Sequence, residues 1–314
     1  MVRPTPQAAM PLVSVVLTTH RQNPYFADTL ASVRAQTWPS WELVVVDDGW
    51  DDKDLLRQMV GDGPSTRIVQ HAHAGVARSR NHGLAESHGS LIAFLDHDDT
   101  WRADHLANLV EAIATDPSAS ASFGQIRMID REGRTISETH AGPTTLEIVL
   151  SGGVRPSMGS LLVRRDHIAR VGGFEALLEP ADDLDVIYKL AMEGPFVFVD
   201  AVTMFYRRHG SNLSDDIVLN AEAVDRMLRL HEVAAKNRGD HKAARLLHDN
   251  RIGVKNYWTT EARRRAFRAL HSGDRAQART LFQWYVRFAP RTFARDIGHG
   301  SVRKLRHPLA RAST

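Results

Sequence analysis

The sequence contains no cysteine among its 314 residues. This absence excludes a disulfide scaffold, a zinc site with thiolate ligands and a cysteine nucleophile. No apolar run reaches the roughly 18 consecutive residues that a membrane-spanning helix needs. The segment from Met1 to Met10 carries one arginine and lacks the apolar stretch of a secretory signal. We therefore expect a cytoplasmic protein.

The charge is spread unevenly along the chain, although its net value is only +3. Residues 220–314 contain 21 Lys and Arg against 8 Asp and Glu, which is +13 and leaves −10 for the rest of the chain. The basic region could contact an anionic acceptor or, peripherally, the inner face of a membrane. A nucleic-acid partner is not expected. The alternative interpretation is a solvated group of arginine-rich helices.

Short apolar strands alternate with amphipathic helices over the first 114 residues. Strands this apolar, separated by helices, favour an α/β fold with a mostly parallel sheet covered by helices on both faces. The predicted strands are 13–17, 43–46, 68–69 and 91–95, and the predicted helices are 26–36, 55–60, 76–87 and 106–114.

The pattern then changes twice. Residues 133–156 are rich in Gly, Thr and Pro and predict surface loops around a short helix near 146–150. Between 160 and 199 we predict a strand over 160–163, a helical turn over 166–171, a helix over 183–192 and a strand over 196–199. From 220 onward apolar residues recur at helical spacing in a polar background. We predict three parts: an α/β domain over 1–218, a helical appendage over 219–297, and a basic, flexible tail over 298–314.

Two acidic clusters directly follow apolar strands. Asp47 and Asp48 come after the second predicted strand, and Asp96, Asp98 and Asp99 come after the fourth. Ligands of open α/β sheets bind at the carboxyl ends of the strands, so both clusters are expected at the mouth of a site. Carboxylates this close together repel one another unless a cation lies between them. Mg²⁺ binds oxygen ligands and phosphates together. A turn with a helix cap, or a solvated loop, is the alternative.

A third acidic cluster, Asp182, Asp183 and Asp185, opens the predicted helix 183–192. The helix dipole favours negative charge there, so capping alone could explain one or two of these residues. A carboxylate held rigidly at a helix start can also serve as a general base. Both interpretations stay open on the residues alone.

Six segments, in this order and spacing, resemble family 2 glycosyltransferases with the GT-A fold, and the resemblance covers about residues 11–214. Residues 1–218 would then be the catalytic domain, with the helical appendage outside the resemblance. The segments are 13–19; 36–38 with 41–46 and Asp47-Asp48-Gly49; 75–84; Phe94-Leu95 with Asp96-His97-Asp98-Asp99; Gly172-Gly173-Phe174 with Asp182-Asp183; and Tyr206-Arg207-Arg208-His209 with Asn212 and Ser214.

On the donor side, the resemblance implies that Thr18 and Asp48 contact the nucleotide base. Asp47 would help to shape that pocket, and Arg80 would lie near the base or the diphosphate. Gly159 would belong to a glycine loop that lets the sugar approach the backbone closely. A uridine diphosphate sugar is the favoured donor, because a carboxylate such as Asp48 can accept the imide N–H of uracil.

On the reaction side, the resemblance implies a divalent cation, Mg²⁺ or Mn²⁺. Asp99 would be the main metal ligand, Asp98 would approach the ribose or the metal, and His209 would be a second ligand of the metal or diphosphate. Asp183 would be the catalytic base. These roles imply transfer of a sugar to an acceptor hydroxyl of a glycan, a lipid-linked compound or a small molecule, with inversion at the anomeric carbon.

The sequence departs from the family pattern at three positions. Trp50 stands where a serine often follows the Asp-Asp-Gly segment, Asp182 replaces a common glutamate, and Lys189 stands where an arginine is frequent. The last two changes keep the charge. The tryptophan bears most directly on the expected nucleotide pocket.

Two other functions are compatible with some of these residues. Asp96, Asp98 and Thr100 have the spacing of the nucleophile motif of haloacid dehalogenase-type phosphatases, although that motif normally follows the first strand of the sheet. A non-catalytic protein that binds nucleotides or sugars is the second alternative. The intact Asp99 and Asp183 argue against it.

Overall fold

The computed structural model describes residues 10–154, 156–210 and 212–298, without the side chains of 297 and 298. The chain forms two compact units, Met1–Asn212 and Leu213–Thr314. The division into domains at 218 and 297 stays a prediction. The predicted flexible tail, apart from its first residue, lies outside the described part of the chain.

The N-terminal unit is built on a sheet of nine strands among the described residues. Three of these strands were not predicted: β5, β6 and β7. The strands are β1 Val13–Thr19, β2 Trp41–Asp47, β3 Thr66–Gln70, β4 Leu91–Asp96, β5 Thr100–Trp101, β6 Ala121–Ile129, β7 Thr135–Glu138, β8 Leu161–Arg164 and β9 Phe196–Arg207.

The strand order is β3-β2-β1-β4-β8-β6-β9-β5, with β7 paired to β6. The first four strands of this order are parallel, and Val15 on β1 pairs with Leu43 and Ala93 on its two neighbours. Strand β8 runs antiparallel to both β4 and β6, whereas β6 and β9 are parallel. The parallel half therefore aligns the carboxyl ends of β1, β2 and β4 at one edge.

Helices cover both faces of the sheet, which confirms the predicted fold class. Val15 and Leu17 on one face of β1 pack in a core with Phe26. On the other face, a Cβ added to Gly83 would lie 2.3 Å from Val16. The helix Val76–Glu86, which contains Gly83, therefore packs directly on the strands. The helices of this unit are α1 Phe26–Arg34, α2 Lys53–Val60, α3 Val76–Glu86, α4 His105–Ala114, α5 Leu146–Ser151, α6 Arg165–Arg170 and α7 Asp182–Glu193.

The C-terminal unit is helical, as predicted. Asp216, Asp240 and Asp274 each cap a helix by accepting a backbone N–H in its first turn. Trp284 and Tyr285 are both 3% exposed in the core of this unit, so they belong to a packed helix face. Within the described residues, no helix is long and apolar enough to span a bilayer. The helices are α8 Ile217–Asn237, α9 His241–His271, α10 Arg275–Phe288 and α11 Pro290–Gly298.

Candidate functional site

The predicted site residues converge at the carboxyl edge of the parallel strands. The register pairs Thr18 with Asp96 and Thr19 with Asp47 across β4, β1 and β2. This alignment follows from parallel pairing, since neighbouring strands end together. Two of the predicted acidic clusters therefore lie at one edge of the sheet.

Asp47 is fully buried and orders the turn after β2. Its carboxylate accepts backbone N–H bonds from Gly49 at 3.0 Å and Trp50 at 2.8 Å, and it pairs with Lys53 at 2.6 Å. Burial raises its pKa, but the hydrogen bonds from Lys53 and this turn outweigh that effect and lower the pKa overall. The Trp50 indole N–H donates to the Thr19 hydroxyl at 2.7 Å, so the unusual tryptophan is a core residue.

Asp48 faces the loop before α3. Its carboxylate accepts N–H bonds from Ala74 at 2.7 Å and Gly75 at 3.1 Å, and His73 Nδ1 lies 3.0 Å from it. These contacts hold the loop against the end of β2, and His71 Nδ1 lies 3.5 Å from the other oxygen of this buried carboxylate.

A row of three imidazoles, absent from the sequence-based predictions, runs from this loop to the acidic cluster after β4. The ring of His20 lies 5.9 Å from that of His73 and 5.8 Å from that of His97. Burial is the main cause that lowers the pKa of both His20 and His97, followed for His20 by the neighbouring cationic groups. In the sequence, these three histidines lie far apart in three separate loops, and no local pattern connects them.

Arg80 on α3 connects two acidic clusters. Its buried guanidinium donates to Asp182 at 2.9 Å and to the two Asp96 oxygens at 3.0 and 3.2 Å, and it lies over the ring of Phe174. Burial lowers the pKa of Arg80, but the two carboxylates outweigh this effect and raise it. The sequence placed Arg80 beside the donor, and the structure adds that it joins the loop after β4 to the start of α7.

The carboxylates of the loop after β4 point in different directions. Asp98 Oδ2 lies 2.8 Å from His209 Nε2. Asp99 is 1% exposed, and its Oδ1 accepts the backbone N–H of Arg207 at 2.9 Å. Asp98 and His209 therefore face each other at the site, while Asp99 is turned toward the end of β9.

Arg207 organises this corner, a role that the sequence did not reveal. Its guanidinium donates to the carbonyl of Asp98 at 3.2 Å, pairs with Asp28 at 3.3 Å and lies 4.5 Å above the ring of Tyr25. With its backbone N–H on Asp99, one buried residue holds both acidic neighbours. The only sequence signal was its position two residues before His209.

The side chains of Asp98 and His209 suit the coordination of a divalent cation. A carboxylate and an imidazole are ligands that Mn²⁺ accepts, and Mg²⁺ usually completes its shell with phosphates and water. Burial, followed by the charges of Asp98 and Asp96, raises the pKa of Asp99 well above its usual value, and a cation would relieve that repulsion. Among the described residues, no three His, Asp or Glu side chains form a complete metal site, so a bound donor would have to contribute ligands.

The acidic cluster of α7 separates into three environments. Asp182 is 1% exposed and pairs with Arg80, while Asp185 pairs with Lys189 at 2.6 Å. Asp183 is partly exposed and accepts the N–H of Leu184 at 2.7 Å. Burial, and then the Asp182 charge, raises the pKa of Asp183 to about 6. A carboxylate with this pKa is suited to accept a proton near neutral pH.

Gly159 lies in a short turn, Met158–Ser160, that leads into β8. Its carbonyl accepts the indole N–H of Trp101 at 2.7 Å, and an added Cβ would lie 2.7 Å from the end of Met204. Packing against Met204 therefore gives this position one reason to be glycine. Whether a sugar also approaches Gly159 stays a prediction.

The match to known families decides the class of protein. Residues 14–165 match the family model described as glycosyl transferase family 2. The matched segment, residues 14–165, belongs to glycosyl transferase family 2. The predicted family and enzyme class are thereby confirmed, and neither the phosphatase nor the non-catalytic alternative is favoured.

Relatives of this glycosyl transferase unit share only part of their length with the chain. A Bacillus subtilis protein assigned to teichuronic acid biosynthesis as a glycosyltransferase is 32% identical over 139 residues, 43% of this chain and 55% of that protein. The chondroitin synthase of Escherichia coli is 26% identical over 208 residues, 65% of this chain and 30% of the synthase. The chain thus spans about half of the first relative and less than a third of the second.

Solved structures share the fold at low sequence identity. Residues 1–349 of Staphylococcus aureus TarS, in complex with UDP-GlcNAc, align with a TM-score of 0.57 and 16% identity, over 88% of this chain and 91% of that one. The mannosyltransferase of Pyrobaculum calidifontis, in complex with GDP-Man and Mn²⁺, aligns with a TM-score of 0.57 and 19% identity, over 91% and 88%. These likenesses confirm the GT-A fold.

Proposed function

We propose that the protein transfers a sugar from a nucleoside-diphosphate sugar to an acceptor hydroxyl, with inversion at the anomeric carbon. The observation that carries this proposal is the bridge made by Arg80, whose guanidinium contacts both Asp96 and Asp182. Arg80 thus ties the strand end that leads into Asp98 and Asp99 to the first turn of α7, which carries Asp183. The chemistry requires this proximity, because both charges change in the same step.

Asp98 and His209 would hold Mg²⁺ or Mn²⁺, with Asp99 behind them in the buried position that Arg207 fixes. When bound, the cation supplies positive charge to the diphosphate leaving group. This assignment moves the exposed ligand position from Asp99 to Asp98, because Asp98 is the carboxylate that faces His209. The Mn²⁺ in the complex of the Pyrobaculum mannosyltransferase supports a divalent cation here.

Asp183 would take the proton of the attacking hydroxyl. The acceptor oxygen forms a bond to the anomeric carbon while the bond from that carbon to the diphosphate oxygen breaks, and the proton ends on the Asp183 carboxylate. Asp182 cannot easily share this role, since Arg80 binds it in a buried ion pair. Attack on the face opposite the leaving group gives inversion.

A uridine nucleotide is the proposed donor, with Thr18 and Asp48 at its base and Asp47 shaping the pocket. A carboxylate such as Asp48 can accept the imide N–H of uracil. UDP-GlcNAc in the TarS complex supports this choice, whereas GDP-Man in the Pyrobaculum complex supports a guanine nucleotide. Stronger thermal stabilisation by GDP than by UDP, each with Mn²⁺, would overturn the uridine assignment.

The acceptor is proposed to be a hydroxyl of a glycan or of a lipid-linked compound. Contact of the basic C-terminal region with a membrane surface is part of this proposal. It rests on the excess of basic residues after position 220.

The experiment that tests the proposed function measures release of free nucleotide from a panel of nucleotide sugars with Mn²⁺ or Mg²⁺. We expect release from one or a few donors, abolished by a chelator and by Asp98→Asn. Release that survives excess chelator would refute metal assistance. Hydrolysis of simple phosphate esters with no release from any nucleotide sugar would instead favour a phosphatase.

A further inference from the structure

Helix α10 presents a face of arginines without acidic residues. Arg275, Arg279 and Arg287 are exposed, and 100° per residue places them within an arc of about 120° on one side of the helix. Val286, 39% exposed, lies in the same arc. The helix contains no Asp or Glu, and none of the three arginines has an ion-pair partner within the described ranges. We call these three residues the arginine face.

The most basic stretch of the sequence is different, because its charges are partly neutralised. Arg263 pairs with Asp296, and Arg265 and Arg268 share Glu261 at 3.0 and 3.3 Å. A count of charges along the sequence points to this stretch of α9. By contrast, Arg275, Arg279 and Arg287 on α10 have no acidic partner among the described residues.

The opposite side of α10 is already occupied. Leu281, Trp284 and Tyr285 are buried in the core of the C-terminal unit, and the Tyr285 hydroxyl donates to Asp296 at 2.6 Å. The helix therefore has no apolar side available for insertion into a bilayer. Any contact made by its exposed side is electrostatic, with Val286 as the sole large apolar residue of the exposed arc among the described positions.

The charge continues beyond α10. Residues 275–314 hold nine Lys and Arg against one acidic residue, Asp296. On α11, Arg291 and Arg295 are exposed. A run of cations this long matches an extended array of phosphates better than a single phosphate ion. Guanidinium groups are well suited to it, because they bind phosphate oxygens in pairs.

We propose that the arginine face docks the protein on an anionic bilayer through lipid headgroup phosphates. This deepens the membrane contact of the proposed function, and it does not require the transfer reaction. The three arginines span about 18 Å along the helix axis, which suits a flat surface with many phosphates. The apolar residues Val302, Leu305 and Leu309, which interleave with the basic residues after 298, favour a bilayer over a soluble polyanion.

The test measures co-sedimentation of the full chain with vesicles of phosphatidylcholine alone or mixed with phosphatidylglycerol. We expect binding only to the anionic vesicles, falling steeply as salt rises. The variant Arg275→Gln/Arg279→Gln/Arg287→Gln should lower the partition coefficient on the order of 100-fold at low salt, about fivefold per arginine. The control Arg229→Gln/Arg245→Gln/Arg268→Gln removes the same number of charges from α8 and α9. It should change the partition coefficient only a few-fold.

Four results would overturn the proposal. Three of them are an equal loss of vesicle binding in both triple variants, absence of binding to anionic vesicles at low salt, and binding of inorganic polyphosphate without binding of vesicles. A fourth is full loss in a variant with Arg303, Lys304 and Arg306 changed to Gln while the α10 variant still binds, because the tail would then carry the contact. Nucleotide release, measured without vesicles, should be the same in the α10 variant and the wild type, which separates this proposal from the transfer reaction.

Discussion

The two acidic clusters that matter most, in the loop after β4 and at the start of α7, look alike in sequence and differ in structure. Each has three carboxylates within four residues. At α7, permanent cations neutralise two of them, since Arg80 binds Asp182 and Lys189 binds Asp185. After β4, the same Arg80 pairs with Asp96, whereas Asp98 faces an imidazole and Asp99 a backbone N–H.

This difference indicates two uses of clustered carboxylates. Compensation at α7 leaves Asp183 as a single group whose pKa is raised to about 6. After β4, Asp98 and Asp99 form no ion pair with Lys or Arg among the described residues, and a divalent cation would balance their charge. The first arrangement suits proton transfer and the second suits metal binding. The predictions below test whether the two clusters can be separated in this way.

Removing the proposed base should have the largest effect. Asp183→Asn should lower turnover by roughly 10²–10⁴-fold, the usual contribution of a general base, because the amide cannot accept the proton. Asp166→Asn, at an exposed position in the first turn of α6, serves as the control and should keep normal turnover. If Asp183→Asn retains normal turnover, the residue acts only as a helix cap.

Removing Asp98, the proposed metal ligand, should come next. Asp98→Asn should weaken Mn²⁺ binding by more than the roughly 10–100-fold that loss of an outer-shell partner causes. Binding is measured by electron paramagnetic resonance of free Mn²⁺ in the presence of nucleotide. Unchanged Mn²⁺ affinity in Asp98→Asn, with a large loss in Asp99→Asn, would restore Asp99 as the main ligand.

Turnover should depend on pH through Asp183. The residue acts when deprotonated, so kcat should fall about tenfold per pH unit below about 6 and level off above it. The measurement is kcat at saturating donor and acceptor from pH 4.5 to 8, about the range over which such a group titrates. A profile that stays flat down to pH 5 would contradict the raised pKa.

Arg207→Lys should have a smaller effect at the loop after β4. Lysine keeps the charge but loses the planar group that reaches Asp98 and Asp28, so Mn²⁺ affinity should fall about tenfold. Asp28→Asn removes only the outer ion pair and should leave the affinity nearly unchanged. An unchanged Mn²⁺ affinity in Arg207→Lys would show that Arg207 contributes through charge alone.

The smallest predicted effect concerns stability. The pKa of Asp183 rises from 3.8 to about 6 on folding, so its contribution to stability is present at low pH and is lost as pH rises through that range. Asp183→Asn should therefore unfold a few degrees higher than the wild type at pH 7.5, while losing turnover. A lower melting temperature in this variant would show that the charged carboxylate stabilises the fold.

The parallel half of the sheet was predictable because its strands are apolar runs that end at acidic residues. Strand β6 was missed because it begins with Ala121, Ser122, Phe123 and Gly124, whose small side chains pack in the interior without an apolar pattern. A Cβ at Gly124 would lie 2.5 Å from Thr203, which explains the small residue. The strand signal depends on packing against β9 and therefore needs the tertiary structure.

The site was predictable in its residues and less so in their contacts. The sequence motifs identified Asp98, Asp99 and His209 as candidates. Only the side-chain directions in the structure show that Asp98 faces the imidazole and that Asp99 is buried. Arg207 and the imidazole row have no local pattern, since their partners come from distant loops. The excess of basic residues after position 220 could be counted in the sequence. Which of them form ion pairs with acidic residues could not be predicted from it.

The most direct test of the central claim, that the two clusters have separate roles, is calorimetric titration of the donor nucleotide sugar with Mn²⁺ into three proteins. The account predicts that Asp183→Asn binds the donor as tightly as the wild type although it does not turn over, and that Asp98→Asn loses the Mn²⁺-dependent part of the affinity. Loss of donor affinity in Asp183→Asn, together with full Mn²⁺-dependent affinity in Asp98→Asn, would contradict it.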